Sequence, residues 1–133
     1  MKIYIDENIS PFLAHGLNVL EKPFNKDVEV LSIKDVFKEG AKDEYWIPKV
    51  GAENGIVITQ DYNIQRTRSQ KVLYLKHGVG IFFFSSSKKG FSYWDMVLQI
   101  IKRWSSIKKL ASKTKLPFAF RCTSRSPDFE KIE

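Results

Sequence analysis

The sequence predicts an α/β fold, a single-domain three-layer α/β/α sandwich around a mainly parallel five-stranded sheet, on three observations. Short apolar runs alternate along the chain with segments of helical spacing, which demands crossover connections and hence parallel strands joined in the right-handed sense. Two of the runs, "IVITQ" and "VGIFFF", are almost continuously apolar, as in strands covered on both faces. A chain of 133 residues, 43% hydrophobic, suits one domain with its own core and is too short for two.

The first strand is "KIYI". Ser10 follows as an N-cap and Pro11 as the first helical residue, leading into "FLAHGLNVL". "VEVLSI", residues 28–33, is a second strand rich in β-branched residues, and the polar "KDVFKEGAK" reads as a loop. A helix is expected over "DEYWIPKVGAEN" with Asn54 and Gly55 as its stop, and Pro48 requires that it start near Trp46 or bend.

"IVITQ" is the third strand and Asp61 follows at its end. "YNIQRTRSQKVLYLKHG" is a basic helix closed by Gly78, with His77 in its last turn, where the helix dipole favours it. After the fourth strand, "VGIFFF", and the loop "SSSKKGF", Ser92 opens a long helix with Asp95 as its capping-box partner. That helix, about residues 93–112, places Val97, Ile100, Ile101, Trp104, Ile107 and Ala111 on a core face and Lys102, Ser106, Lys109 and Lys113 on a basic one. "FAFR" is the fifth strand. Residues 1–122 form the domain and 123–133 a weakly ordered tail.

Charge divides the chain. Residues 1–66 hold eight Lys/Arg and eleven Asp/Glu, a net −3, whereas residues 67–133 hold fourteen and four, a net +10. An acidic half beside a basic one suits a cation site that works on a polyanion, the carboxylates holding the ion and the basic surface the phosphates. One cysteine, Cys122, rules out an intrachain disulfide, and no Cys/His cluster of zinc type is present. With no apolar leader and no run of membrane-spanning length, a cytoplasmic protein without membrane association is expected.

The chemistry concentrates in "KIYIDENISP". Asp6 and Asp61 each follow a strand that reads as buried and central, so in a parallel sheet both emerge at the carboxyl edge, where such folds bind ligands. Asp43 and Glu44 begin the helix that feeds the Asp61 strand, and Glu7 adjoins Asp6. Converging carboxylates repel unless a cation neutralises them, and oxygen-only ligands suit Mg2+ or Mn2+ better than zinc. Taken singly, each acid has a plainer explanation as a turn or cap residue.

"YIDENISP", "KDEYW" and "VITQDYNIQRTR" together resemble the PIN-like domain superfamily, in particular the compact relatives of VapC-type toxins, over roughly residues 2–84. The resemblance implies a metal-dependent endoribonuclease of a type II toxin-antitoxin pair, with RNA as substrate, a small antitoxin protein as partner and a homodimer as assembly. It also implies that Asp6, Asp43 and Asp61 are catalytic and bind the metal, Glu7, Glu44 and Asn63 being weaker candidates. Asn63 stands where such domains often carry a further acid, which bears on whether one ion or two is held. Arg66, Arg68, Lys71 and Ser85 are assigned to substrate phosphates.

Two other readings stand beside this one. A non-catalytic RNA-binding module of PIN-like ancestry is suggested by Asn63. A phosphoacceptor receiver shares the alternation and the acids, but it needs a lysine at the end of its last strand, where this chain has Arg121.

Overall fold

The computed structural model describes residues 1–24, 27–61, 64–85, 90–126 and 128–132, and of residues 61 and 64–66 the backbone alone. Among these residues the elements follow in the order β1 (Lys2–Ile5), α1 (Pro11–Glu21), β2 (Glu29–Ser32), α2 (Ile33–Phe37), α3 (Asp43–Ala52), β3 (Ile56–Asp61), α4 (Ile64–Lys76), β4 (Gly80–Ser85), α5 (Tyr93–Lys113), β5 (Phe118–Thr123) and β6 (Glu130–Lys131). The sheet order is β2-β1-β3-β4-β5-β6, with β1 to β5 parallel and β6 antiparallel to β5.

Period-two alternation divides each strand between two cores. Ile3 and Ile5, Ile56 and Ile58, Phe82 and Phe84, and Phe118 and Phe120 face one side, where Leu13 and Leu17 of α1 and Met96, Ile100 and Ile107 of α5 cover them. Tyr4, Val57, Ile81, Phe83 and Ala119 face the other, against Trp46, Ile47 and Val50 of α3 and Tyr74 of α4. This is the predicted sandwich, with β1, β3 and β4 buried on both faces.

Ser10 caps α1, its hydroxyl accepting from the Phe12 N–H at 3.1 Å, and Ser92 caps α5 by accepting from the Asp95 N–H at 3.3 Å. Other particulars depart from expectation. The polar loop after β2 holds a short helix, α2, because Ile33 and Phe37 lie one turn apart and Phe37 packs between Tyr4 and Trp46, with ring centroids 6.1 and 6.4 Å away. α3 starts at Asp43 and runs through Pro48, whose ring removes one hydrogen bond within the helix. Ile101, assigned above to the core face of the long helix, is 48% exposed, and Met96 and the Arg103 side chain are buried instead.

The segment read above as a tail contributes the sixth strand. Arg121 pairs with Glu130 and Phe120 with Lys131, the Ile132 N–H donates to the Ala119 carbonyl at 2.8 Å, and Phe129 packs edge-on against Phe82 and Phe84. A two-residue strand is too short to show alternation in sequence.

The crossover from β1 leads to β2 at one edge, and the next returns past β1 to β3, after which strands are added in the other direction. The reversal lies between β1 and β3, and in a doubly wound sheet a crevice opens beyond the carboxyl ends of the two strands at that point. Asp6 follows one of those ends and Asp61 forms the other.

Candidate functional site

Asp6 extends β1 by one residue, its N–H donating to the Ile58 carbonyl at 3.0 Å, and is 1% exposed. One carboxylate oxygen, Oδ2, accepts the Thr59 hydroxyl proton at 2.6 Å, and the other, Oδ1, accepts the Glu7 N–H at 2.8 Å. A buried carboxylate survives only with such charge-assisted bonds. The chain turns at once, the Ile9 N–H returning to the Asp6 carbonyl at 3.0 Å, and this turn aims the following residues into α1.

Asn8 and Gln60 tie that turn to the end of β3. The Asn8 amide nitrogen donates to Thr59 Oγ1 at 3.3 Å and to the Gln60 carbonyl at 3.4 Å, and Gln60 Nε2 donates to the Asn8 carbonyl at 2.7 Å. The far side of the Gln60 amide, Oε1, accepts the Phe91 N–H at 3.1 Å, which brings the start of α5 to the same place. Because the Gln60 carbonyl needs a donor, the Asn8 amide is oriented with nitrogen toward β3, and its oxygen is buried without a hydrogen-bond partner among the described residues.

The other predicted residues distribute as follows. Asp43 is the first residue of α3, half-buried, and accepts from Gln70 Nε2 of α4 at 3.3 Å; Glu44 beside it is exposed. Glu7 Oε2 accepts the Gly40 N–H at 3.1 Å, fastening the loop before α3 to the turn after β1. Asp61 ends β3 in register with Ser85, the half-buried last residue of β4. On α4, Arg68 is exposed and Lys71 half-buried. The side chains of Asp61 and Arg66, and Asn63 as a whole, lie outside the described residues. Among the described residues, no three His, Cys, Asp or Glu side chains come together closely enough to hold a metal ion.

The structure therefore brings Asp6 to the tip of β3, ties Asp43 to α4, and adds Asn8, Thr59, Gln60 and Gln70, which sequence reasoning passed over. Their signal was faint: polar residues at the end of an otherwise apolar strand, and an amide beside paired acids. Asp6 and Asn8 carry oxygens of the hard type that Mg2+ and Mn2+ take as ligands, and the buried Asn8 oxygen lacks a hydrogen-bond donor among the described residues.

Strand order alone does not separate the candidates, because the order β2-β1-β3-β4-β5 also occurs in doubly wound folds of receiver type. The family model described as a PIN-like domain matches residues 1–86. The chain belongs to the PIN-like domain family. No curated protein and no solved structure matches it significantly. The matched part of this PIN-like domain spans β1 to β4 and includes Asp6, Asp43 and Asp61. PIN-like domains are typically nucleases and generally use divalent metals. No helix among the described residues of this one is long and apolar enough to cross a membrane.

Proposed function

We propose that this PIN-like domain is a Mg2+- or Mn2+-dependent endoribonuclease that hydrolyses RNA phosphodiester bonds and serves as the toxin of a type II toxin-antitoxin pair. The observation that carries the reading is Asp6: a buried carboxylate held by Thr59 and the Glu7 N–H at the point of the sheet where ligands bind. Asp6, Asp43 and Asp61 would hold the ion, with Glu7, Glu44 and Asn63 as further oxygen donors. Bound there, a divalent ion supplies positive charge to a phosphoryl oxygen and a water acidified for attack.

The chain's own residues position and bind. Thr59 and the Glu7 amide fix the rotamer of Asp6, Gln70 fixes Asp43, and Arg66, Arg68, Lys71 and Ser85 hold the phosphates on either side of the scissile bond. A small antitoxin protein, a homodimeric assembly and a cytoplasmic location are the corresponding expectations for partner, state and compartment.

The test is an RNA cleavage assay with Mg2+ or Mn2+ on wild type and on Asp6→Asn and Asp61→Asn. Cleavage that falls at least a hundredfold in both variants and stops with EDTA supports the reading. Equal degradation by all three proteins assigns the activity to a contaminant. RNA binding by the wild type without cleavage in either metal leaves a binding module and overturns the enzyme.

A further inference from the structure

Three aromatic residues fall within four positions at the entry to α5: Phe91, Tyr93 and Trp94. Trp94 is 70% exposed and Tyr93 50%, and their rings meet edge to face with centroids 5.4 Å apart. Burial of α5 does not need these two, since Met96, Ile100, Trp104 and Ile107 cover the sheet, whereas Phe91 is half-buried and packs against that core. Phe91 is joined to the candidate site through Gln60, which accepts its N–H and donates in turn to the carbonyl of Asn8, two residues after Asp6.

Between Phe91 and Tyr93 on one side and the start of α1 on the other lies a cavity of about 120 Å³, adjoining the tip of β3. Ile9, Leu13, Met96 and Val97 make its floor apolar, and Ser10, Ser92, Asn8 and Gln60 make its rim polar. An apolar slot with polar edges complements a planar heterocycle, whose faces are apolar and whose edges carry donors and acceptors. The same helix suits a polyanion, since Lys102 is exposed about 12 Å along it from Trp94 and the half of the chain that supplies α5 has a net charge of +10.

We propose that Tyr93 and Trp94, with Phe91 behind them in the cavity wall, form a base-stacking platform that takes a nucleotide of single-stranded RNA flanking the phosphate presented to Asp6. The proposal rests on RNA being the substrate. Stacking explains why large aromatics are exposed beside a polar site, and it tolerates any base, since each has a π face.

Trp94 supplies its own reporter, as Trp46 is 2% and Trp104 9% exposed. An unstructured oligoribonucleotide, added in EDTA so that no hydrolysis occurs, should quench the solvent-exposed tryptophan emission. Tyr93→Ala and Trp94→Ala, both at exposed positions and checked for folding by circular dichroism, should each weaken RNA binding about tenfold by anisotropy. Phe24→Ala, at an exposed aromatic that follows α1, should bind as wild type does. Unchanged affinity in both Tyr93→Ala and Trp94→Ala overturns the platform, as does equal affinity for an abasic ribose-phosphate oligomer. Loss of self-association in Trp94→Ala with RNA affinity intact also overturns it and assigns the surface to a second copy. The two readings fail separately: stacking without cleavage in Mn2+ removes the nuclease alone, and cleavage that survives the aromatic substitutions with RNA affinity unchanged removes the platform alone.

Discussion

Thr59 and Asp6 share a 2.6 Å hydrogen bond from β3 to the residue after β1, and both are almost wholly buried. Removing the hydroxyl while keeping the shape, as in Thr59→Val, takes one hydrogen-bond donor from a buried carboxylate. The expected cost is about 1–3 kcal/mol in urea unfolding, with Thr59→Ser close to wild type. Cleavage should fall in Thr59→Val at temperatures where the protein remains folded, because one of the bonds that orient the Asp6 carboxylate is gone.

Glu21 joins the end of α1 to α5. Its Oε1 accepts from Trp104 Nε1 at 2.5 Å and from Lys108 Nζ at 2.6 Å, and its side chain is 5% exposed. Burial pushes this carboxyl up, but the bonds from Lys108 and Trp104 together outweigh it and hold it below the ordinary 4.5. A group depressed in the folded state stabilises above its unfolded value, and that stability is lost as pH falls through the folded one. Urea midpoints should therefore drop below about pH 4.5 more steeply in wild type than in Glu21→Gln. At pH 7 the variant should be about 1.5–3 kcal/mol less stable.

Gly51 lets α3 lie against the end of α4. A Cβ there would sit 2.1 Å from the His77 carbonyl oxygen and 3.0 Å from its carbon, both backbone atoms that cannot swing aside. Gly51→Ala should destabilise the domain by about 1–3 kcal/mol despite the better helix propensity of alanine, read as a lower melting temperature.

Cys122, in β5, is 2% exposed. Burial pushes its thiol up to about 11, with Arg103 pulling weakly the other way. Only about one thiol in a thousand is then ionised at pH 8, and the reactive form is the thiolate. An aromatic disulfide reagent should leave the native protein unlabelled over hours and label it stoichiometrically in denaturant. Rapid labelling without denaturant would contradict the buried placement.

Strands with long apolar runs were legible because burial on both faces leaves no alternation to misread: "IVITQ" and "VGIFFF" became β3 and β4. Ser10 and Ser92 were legible because N-capping is a local interaction, decided within one turn. Asp6 was legible as an acid at a strand tip, but its bond to Thr59 was not, since it joins residues 53 positions apart and depends on the β1 to β3 register. α2 was hidden because its helical content rests on two apolar residues whose partner, Trp46, lies elsewhere in the chain. Ile101 was misassigned because a stripe wider than the sheet can cover leaves its margin in solvent, and helical spacing alone does not locate that margin.

The reversed direction of β6 has a practical result. Ile132 lies beside Ala119, near the amino ends of the parallel strands, while Asp6, Gln60 and Phe91 gather at their carboxyl ends. A linker grafted after this strand would depart from the bottom of the molecule, so a sensor chip or affinity resin loaded through it would hold the domain with its mouth turned outward to the analyte.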